Sequence, residues 1–147
     1  MERVVYDLNC EFCKLVTKEV KSYIVFEDEI SLAFLDIKPL FPGHILLIPK
    51  NHFETFADIP VELIAPLFRN AKLLDLAVEK ALKADGSFIA INNRISQSVS
   101  HLHIHIVPRR KGDGLKGFFW PRYPYKDKDE MVKIQQIIKD TLKSLNI

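Results

Sequence analysis

The sequence has no apolar run that approaches the ~20 residues needed to span a bilayer. Its opening stretch, MERVVYDLNC, has no apolar segment of the signal-peptide type, so we expect a cytoplasmic protein. Internal repeats, low-complexity tracts and long linkers are also absent. Only two residues are cysteine, which excludes a disulfide-rich mini-protein.

A strong charge imbalance is missing as well. The 21 basic and 19 acidic side chains leave a net charge of +2, which is too small to predict nucleic-acid binding. The cations are nevertheless concentrated at 109–128, where seven basic residues accompany two acidic ones. This segment is either a solvated loop or a set of cations that faces an anionic ligand. The absence of stacking-platform motifs disfavours RNA binding, and we predict neither a nucleic-acid nor a membrane partner.

What is present fits one globular domain. The chain has 147 residues, of which 48% are hydrophobic and 27% are charged, both ordinary values. A chain of this length buries roughly two-thirds of the surface that its unfolded form exposes, so it can build a core without covalent staples. We expect a single domain at 1–147.

Local patterns predict an α+β protein with helices packed on an antiparallel sheet. Short apolar runs bounded by turn residues predict strands at 23–27, 31–36, 44–48, 87–92 and 101–107. Apolar residues at helical spacing predict helices at about 10–20, 58–84 and 128–145. Asp58 is the predicted N-cap of the long central helix, and Asp85 and Gly86 end it.

Three of the five histidines alternate with apolar residues in the segment HLHIHIV, at positions 101, 103 and 105. In a strand, alternate side chains point to opposite faces, so the three imidazoles would form one polar stripe and Leu102, Ile104 and Ile106 would face the core. A structural role does not need three imidazoles on one face. Such a row suits metal binding, acid–base catalysis or nucleophilic attack on phosphorus, since neutral imidazole is available near pH 7.

Two blocks of the sequence resemble the histidine triad (HIT) family. Residues 97–107, QSVSHLHIHIV, are similar to its His-x-His-x-His signature, and FLDI at 34–37 with PGHILLIPK at 42–50 is similar to its upstream block. The resemblance runs over about 10–108. It implies a HIT-like fold and a nucleotide hydrolase or transferase that acts at the α-phosphate. His103 matches the family's nucleophile, which forms a nucleotidyl-histidine, and His105 matches the histidine that binds the phosphate.

The resemblance also implies a set of nucleotide contacts for a purine nucleotide or nucleotide conjugate. Asp36 would bind the ribose hydroxyls, and Gln97 and Ser98 would contact the phosphate or the leaving group. The loop before Gln97 is shorter than is usual in the family and lacks glycine, so Asn92 and Asn93 are alternatives for one contact. Arg94 either adds a phosphate contact or is solvated, and His44 either joins a proton relay or packs at a strand end. The complete set of implied nucleotide-binding residues is Phe34, Asp36, Ile37, Asn92, Gln97, Ser98 and His105.

The two cysteines form a Cys-x-x-Cys at positions 10 and 13. A redox pair, a local disulfide and half of a zinc site are all open from the spacing alone. Zinc needs about four ligands, and His52 and His101 are the free candidates. The branch of the family with an N-terminal Cys-x-x-Cys implies the set Cys10, Cys13, His52 and His101. Zinc bound there is structural, because four protein ligands leave no position for an activated water.

Several functional alternatives remain at this stage. A nucleotidyl transferase or phosphorylase would use the same nucleophile with a different acceptor, and a binding module would have negligible turnover. The resemblance implies a homodimer that pairs through about 61–84 and 87–92. The segment at 109–125 either sets the preference for a leaving group or is a loop pinned to the core by Phe118 and Trp120.

Overall fold

The computed structural model describes residues 4–115 and 122–145. The chain divides into two compact units, at 1–113 and at 114–147. The single domain predicted for 1–147 stays a prediction. Lys116, Phe118 and Trp120, which belong to the predicted basic and aromatic segment, lie outside the described residues.

The first unit is a five-stranded antiparallel sheet with helices, and the second contains one helix. The sheet has the strand order β1-β2-β3-β5-β4, and every neighbouring pair is antiparallel. The predicted α+β class, with a long central helix and a C-terminal helix, is confirmed. The elements are α1 (Glu11–Val16), β1 (Ile24–Glu27), β2 (Ser31–Leu35), β3 (Ile45–Pro49), a 3₁₀ turn (Phe56–Asp58), α2 (Val61–Leu82), β4 (Gly86–Ile91), β5 (Ile104–Arg109) and α3 (Lys128–Ser144).

The neighbouring inner strands β2 and β3 are buried on both faces, which explains their continuous apolar runs. On one face, α2 packs through residues at helical spacing, Leu67, Ala71, Leu74 and Val78. On the other face, the short helix α1 packs through Phe12 and Val16 against alternate residues of β2 and β3. The six-residue α1 therefore lies over the face of the sheet that α2 leaves open.

The histidine segment differs from the predicted strand at 101–107 in where the strand begins, and its polar stripe is buried. Strand β5 begins at Ile104, so His101 and His103 precede the strand. The stripe is also not exposed, since His101 is 0% and His103 is 2% accessible. The physical reason is α1, whose Phe12 ring packs edge-on against both imidazoles. The division of faces does hold, because Leu102, Ile104 and Ile106 join the α2 side of the core.

The ends of α2 also differ from the prediction. The helix begins at Val61 after Pro60, whereas Asp58 lies in the 3₁₀ turn. The Asp58 carboxylate accepts bonds from the backbone N–H (2.9 Å) and the hydroxyl (2.7 Å) of Thr55, so it caps that turn and not α2. At the other end, α2 stops at Leu82, and Lys83 follows with the left-handed φ of 51°. The helix therefore ends before Asp85 and Gly86, which were predicted to end it.

Two cations of the basic segment have structural roles in the first unit. Arg109 forms a two-pronged ion pair with Asp113, with distances of 2.6 and 2.9 Å. Arg110 donates to the carbonyl of Leu82, the last residue of α2, and to that of Lys83, which caps the helix. Arg109 therefore stabilises the loop internally, and Arg110 links the loop to the C-terminal end of α2.

The described helices include none with the length and apolar character that crossing a bilayer requires.

Candidate functional site

The backbone carbonyl of His101 holds His103 in a defined tautomer. Its Nδ1–H donates to the carbonyl of His101 at 2.8 Å, so Nε2 carries the lone pair in the neutral ring. Burial lowers the pKa of His103, and the bond to the His101 carbonyl opposes that shift. The neutral form therefore dominates at pH 7. A neutral imidazole with a free Nε2 lone pair is a nucleophile.

A chain of hydrogen bonds fixes the second imidazole. The Leu40 backbone N–H donates to His44 Nδ1 at 3.1 Å, so the His44 proton resides on Nε2. That Nε2–H donates to His105 Nδ1 at 2.9 Å, and the neutral His105 ring then carries its own proton on Nε2. Within the described residues this Nε2 is buried without a partner. These hydrogen bonds thus hold the unsatisfied Nε2–H donor of His105 beside His103, and the centroids of the His103 and His105 rings are 4.9 Å apart.

Asp36 lies next to this pair. One carboxylate oxygen accepts from the Lys38 backbone N–H at 2.8 Å, and the other is 3.8 Å from His44 Nε2. Burial and the neighbouring imidazoles His103 and His44 lower the pKa of His105 to about 4, although Asp36 acts in the opposite direction. Asp36, His44 and His105 have metal-ligand atoms within 4.8 Å of one another. Because the two facing ring nitrogens share a proton, they are engaged in a hydrogen bond and are not a pair of free ligands.

These groups open onto a pocket of about 730 Å³. Most of its exposed lining is apolar, and the polar groups converge at the histidines, as is common in small-molecule sites. The pocket brings together six of the residues predicted for the site. They are Phe34, Asp36, Ile37, Ser98, His103 and His105.

Two predicted contacts lie outside the pocket lining. The Gln97 side chain bridges two loops, since it accepts from the Arg94 N–H at 2.8 Å and donates to the Glu54 carbonyl at 2.7 Å. Asn93 accepts from the Phe56 N–H at 2.8 Å. Asn92 is half-buried and does not line the cavity. Their roles as nucleotide contacts stay predictions.

Sequence reasoning missed one wall of the pocket. This wall consists of α1 and the segment that precedes β1, including Phe12, Leu15 and Ser22. The available signal was the Cys-x-x-Cys: if Cys10 and Cys13 lie near His101, the residues between them must lie near His103. Three lysines at positions 14, 21 and 38 also line the pocket and were not predicted.

The four predicted metal ligands converge at a second site beside the first. The Sγ atoms of Cys10 and Cys13 lie 3.4 and 3.6 Å from His101 Nδ1, and Cys13 Sγ lies 3.5 Å from His52 Nδ1. The two Nδ1 atoms are 3.2 Å apart. Tetrahedral zinc with Zn–S of ~2.3 Å and Zn–N of ~2.0 Å places sulfur and nitrogen ~3.5 Å apart and two nitrogens ~3.3 Å apart. The spacing of these donors fits a zinc ion.

The protonation state of His101 agrees with this fit. His101 Nε2–H donates to the Pro49 carbonyl at 2.8 Å, so its Nδ1 lone pair faces the other ligands. Burial lowers the pKa of His101 to about 4 and, with the metal absent, raises the pKa of the Cys13 thiol to about 11. The Asp7 and Cys13 backbone N–H groups each lie 3.4 Å from a cysteine sulfur, where they would support thiolate charge. Cys10, Cys13, His52 and His101 could together hold a divalent metal.

Comparisons with known proteins agree with the architecture. The family model described as HIT domain matches residues 17–112. A HIT-like protein from Methanocaldococcus jannaschii is 43% identical over 107 residues, which cover 71% of this chain and 82% of that protein. Adenosine 5'-monophosphoramidase HNT1 from Saccharomyces cerevisiae is 41% identical over 71% of this chain and 65% of its own length. Adenylylsulfatase HINT3 from Arabidopsis thaliana is 36% identical over 73% of this chain and 55% of its own length.

Solved structures give the same result. A crystal structure of a Streptococcus mutans protein has a TM-score of 0.82 and 35% identity, and covers 96% of this chain and 88% of its own. A zinc-bound histidine triad family protein from Mycobacterium smegmatis has a TM-score of 0.70 and 34% identity, with coverages of 90% and 98%.

Proposed function

The chain belongs to the HIT domain family, and on this premise we propose that it hydrolyses a nucleotide conjugate through a covalent bond between His103 and the α-phosphate. As predicted, it is an enzyme of the HIT type. Two relatives of the chain are named for hydrolase activities. The observation that carries the proposal is the Nδ1–H bond from His103 to the His101 carbonyl, because it leaves the Nε2 lone pair for attack.

The first step would form one bond and break one. His103 Nε2 attacks the α-phosphorus, and the bond from phosphorus to the leaving group breaks with its electron pair on the leaving group. The attacking ring becomes a phosphorylated imidazolium, whose positive charge the His101 carbonyl stabilises through Nδ1–H. No proton has to leave His103 at this stage.

His105 would bind the reacting phosphate. The bonds from Leu40 to His44 and from His44 to His105 keep a proton on His105 Nε2, ready to donate to a phosphate oxygen. A phosphate oxygen there would satisfy the buried donor that lacks a partner among the described residues. In the second step, water attacks phosphorus, and the bond to His103 breaks with its electron pair on Nε2. Water gives up one proton, which balances the proton that the departed leaving group takes from solvent, and a nucleoside monophosphate and neutral His103 result.

The rest of the nucleotide would extend along the pocket. The Asp36 carboxylate suits the ribose hydroxyls as a charged acceptor, while Phe34 and Ile37 provide apolar surface for a base. Ser98 lines the pocket as an exposed hydroxyl that suits a phosphate oxygen. The preferred substrates are a nucleoside phosphoramidate or a dinucleoside polyphosphate with a purine base.

We further propose that Cys10, Cys13, His52 and His101 hold a structural zinc ion. The donor distances and the zinc-bound relative from Mycobacterium smegmatis support this assignment. Bound zinc would supply a fixed link between the N-terminal segment and the residues around His103, and chemistry on the substrate would be left to His103.

A homodimer and a cytoplasmic location complete the proposal. The proposed interface comprises 61–84 and 87–92. Strand β4 is an edge strand, and exposed apolar side chains on α2 and β4 support this choice. These are Leu73, Leu76 and Ile89.

The test is a turnover screen with adenosine phosphoramidate, diadenosine polyphosphates and nucleotide sugars, each with and without inorganic phosphate. Release of nucleoside monophosphate without added phosphate supports the hydrolase. Strict dependence on phosphate would identify a phosphorylase, and binding without turnover would identify a binding module. The His103→Asn variant serves as the control for contaminating activities.

A further inference from the structure

Phe12 lies between the two cysteines and touches both sites at once. Its ring centroid is 5.2 Å from that of His103 and 5.9 Å from that of His101, with interplanar angles of 90° and 70°. It also meets Phe34 at 5.4 Å in an edge-on contact and lines the nucleotide pocket. The side chain is 7% exposed, so these contacts take place in the protein interior.

The His103 ring needs such a neighbour. Its hydrogen bond at Nδ1 fixes the tautomer, but one bond at one ring nitrogen leaves the ring free to tilt about that contact. Among the described residues, the rings that pack against His103 are those of His105 and Phe12. The His105 ring is already hydrogen-bonded to His44. Phe12 is therefore the apolar surface that sets the direction of His103 Nε2.

The perpendicular geometry makes this contact directional. In an edge-to-face pair, the positive edge of one ring meets the negative face of the other, and rotation of either ring weakens the attraction. The Phe12 ring is in turn held by its flanking cysteines. Both thiols are buried, and Cys13 Sγ lies 3.6 Å from His101 Nδ1 and 3.5 Å from His52 Nδ1.

We propose that Phe12 is a positioning residue for His103, held in place by Cys10 and Cys13 and acting through the orientation of the imidazole. The inference rests on the proposed function, since it assigns Phe12 a part in the attack by His103. An aliphatic side chain of similar volume keeps the pocket wall apolar but lacks the aromatic edge. A misplacement of the attacking atom by about 1 Å costs ~100-fold in rate, so we expect the rate of attack to fall roughly 10- to 100-fold in Phe12→Leu.

The experiment compares zinc-loaded wild type, Phe12→Leu and Phe68→Leu. Phe68 is the matched control, because it makes an edge-on contact with Phe56 at 6.0 Å and does not line the pocket. Rapid quenching at saturating adenosine phosphoramidate gives the rate of adduct formation, and titration with AMP gives the dissociation constant. We expect Phe12→Leu to slow adduct formation at saturation while the AMP dissociation constant changes by only a few-fold, and Phe68→Leu to keep the wild-type rate.

A second measurement needs no substrate. In nitrogen-15 NMR spectra of the zinc-loaded protein, the His103 Nδ1 proton should exchange with water faster in Phe12→Leu than in wild type, because the ring leaves its bond to the His101 carbonyl more often. A weaker AMP affinity with an unchanged rate at saturation would overturn the inference and make Phe12 only a wall of the pocket. Should wild type form no adduct, the proposed function fails. The NMR comparison then decides the inference alone, and equal exchange rates overturn it.

Discussion

Replacing His101 with alanine tests how the metal site and the fold depend on one side chain. The ring is 0% exposed, its Nδ1 faces Cys10 and Cys13 at 3.4 and 3.6 Å, and its Nε2–H donates to the Pro49 carbonyl at 2.8 Å. Alanine removes a metal ligand, leaves a buried carbonyl without its donor and opens a cavity. The backbone carbonyl of residue 101, which holds His103, remains in the variant. The variant therefore tests the role of the His101 ring alone.

The size of the effect depends on whether metal is present. Without metal, the unpartnered carbonyl costs ~1–3 kcal/mol and the cavity adds ~2 kcal/mol, which together lower the melting temperature by ~10 °C for a chain of this size. With zinc, wild type gains the free energy of metal binding to its folded state, and the variant loses most of that gain. The difference between wild type and variant should therefore be larger in zinc than in chelator.

The assay is thermal unfolding of both proteins in zinc and in chelator, with metal content measured by elemental analysis. The matched control is His44→Ala, which removes another buried histidine, 3% exposed, from outside the metal cluster. We expect the chelator to lower the melting temperature of wild type and His44→Ala, and to lower that of His101→Ala much less. One zinc per chain in His101→Ala, with a chelator shift equal to that of wild type, would refute the ligand assignment.

Three further predictions concern acidity, sugar recognition and assembly. The pKa of His105 is about 4 in the folded protein against 6.5 in the unfolded chain, so the unfolded chain binds the extra proton and the free energy of unfolding falls as the pH drops from 6.5 to 4. Urea titrations should show a shallower fall in His105→Gln, and an identical pH dependence in the two proteins would contradict this. Asp36→Asn should weaken AMP binding ~10-fold but leave the affinity for dideoxy-AMP unchanged, because only AMP has the hydroxyls that the carboxylate binds. Both affinities are measured by calorimetry, and equal losses for the two ligands would argue against the assignment. Light scattering at micromolar concentration should give twice the chain mass of 17.0 kDa, and a value near 17.0 kDa rules out the dimer.

Local sequence patterns predicted most of the elements because local physics determines them. The apolar runs of β2 and β3 and the helical spacing of Leu67, Leu74 and Val78 are visible without any tertiary information. The alternating histidines and the Cys-x-x-Cys were equally visible. Since chemistry restricts which side chains bind metals or attack phosphorus, the candidate residues of both sites could be named from the sequence.

Contacts between distant segments determined what the sequence did not predict. The strand was expected to begin at His101, but the backbone N–H of Leu102 donates to the Phe53 carbonyl at 2.7 Å, outside the sheet. Gln97 likewise engages Glu54, which is 43 residues away. Helix α1 has only six residues, and its place beside the pocket follows from its packing on β2 and β3. No short-range pattern records such partners.

The central claim is the covalent bond between His103 and the nucleotide, and its most direct test is mass spectrometry of rapidly quenched reactions. With adenosine phosphoramidate, wild type should gain the mass of one adenylyl group, and peptide mapping should place it on His103. His103→Asn should show no adduct and should retain its zinc, whereas His105→Asn should form the adduct more slowly. An adduct on any other residue, or turnover in His103→Asn at the wild-type rate, would contradict the account.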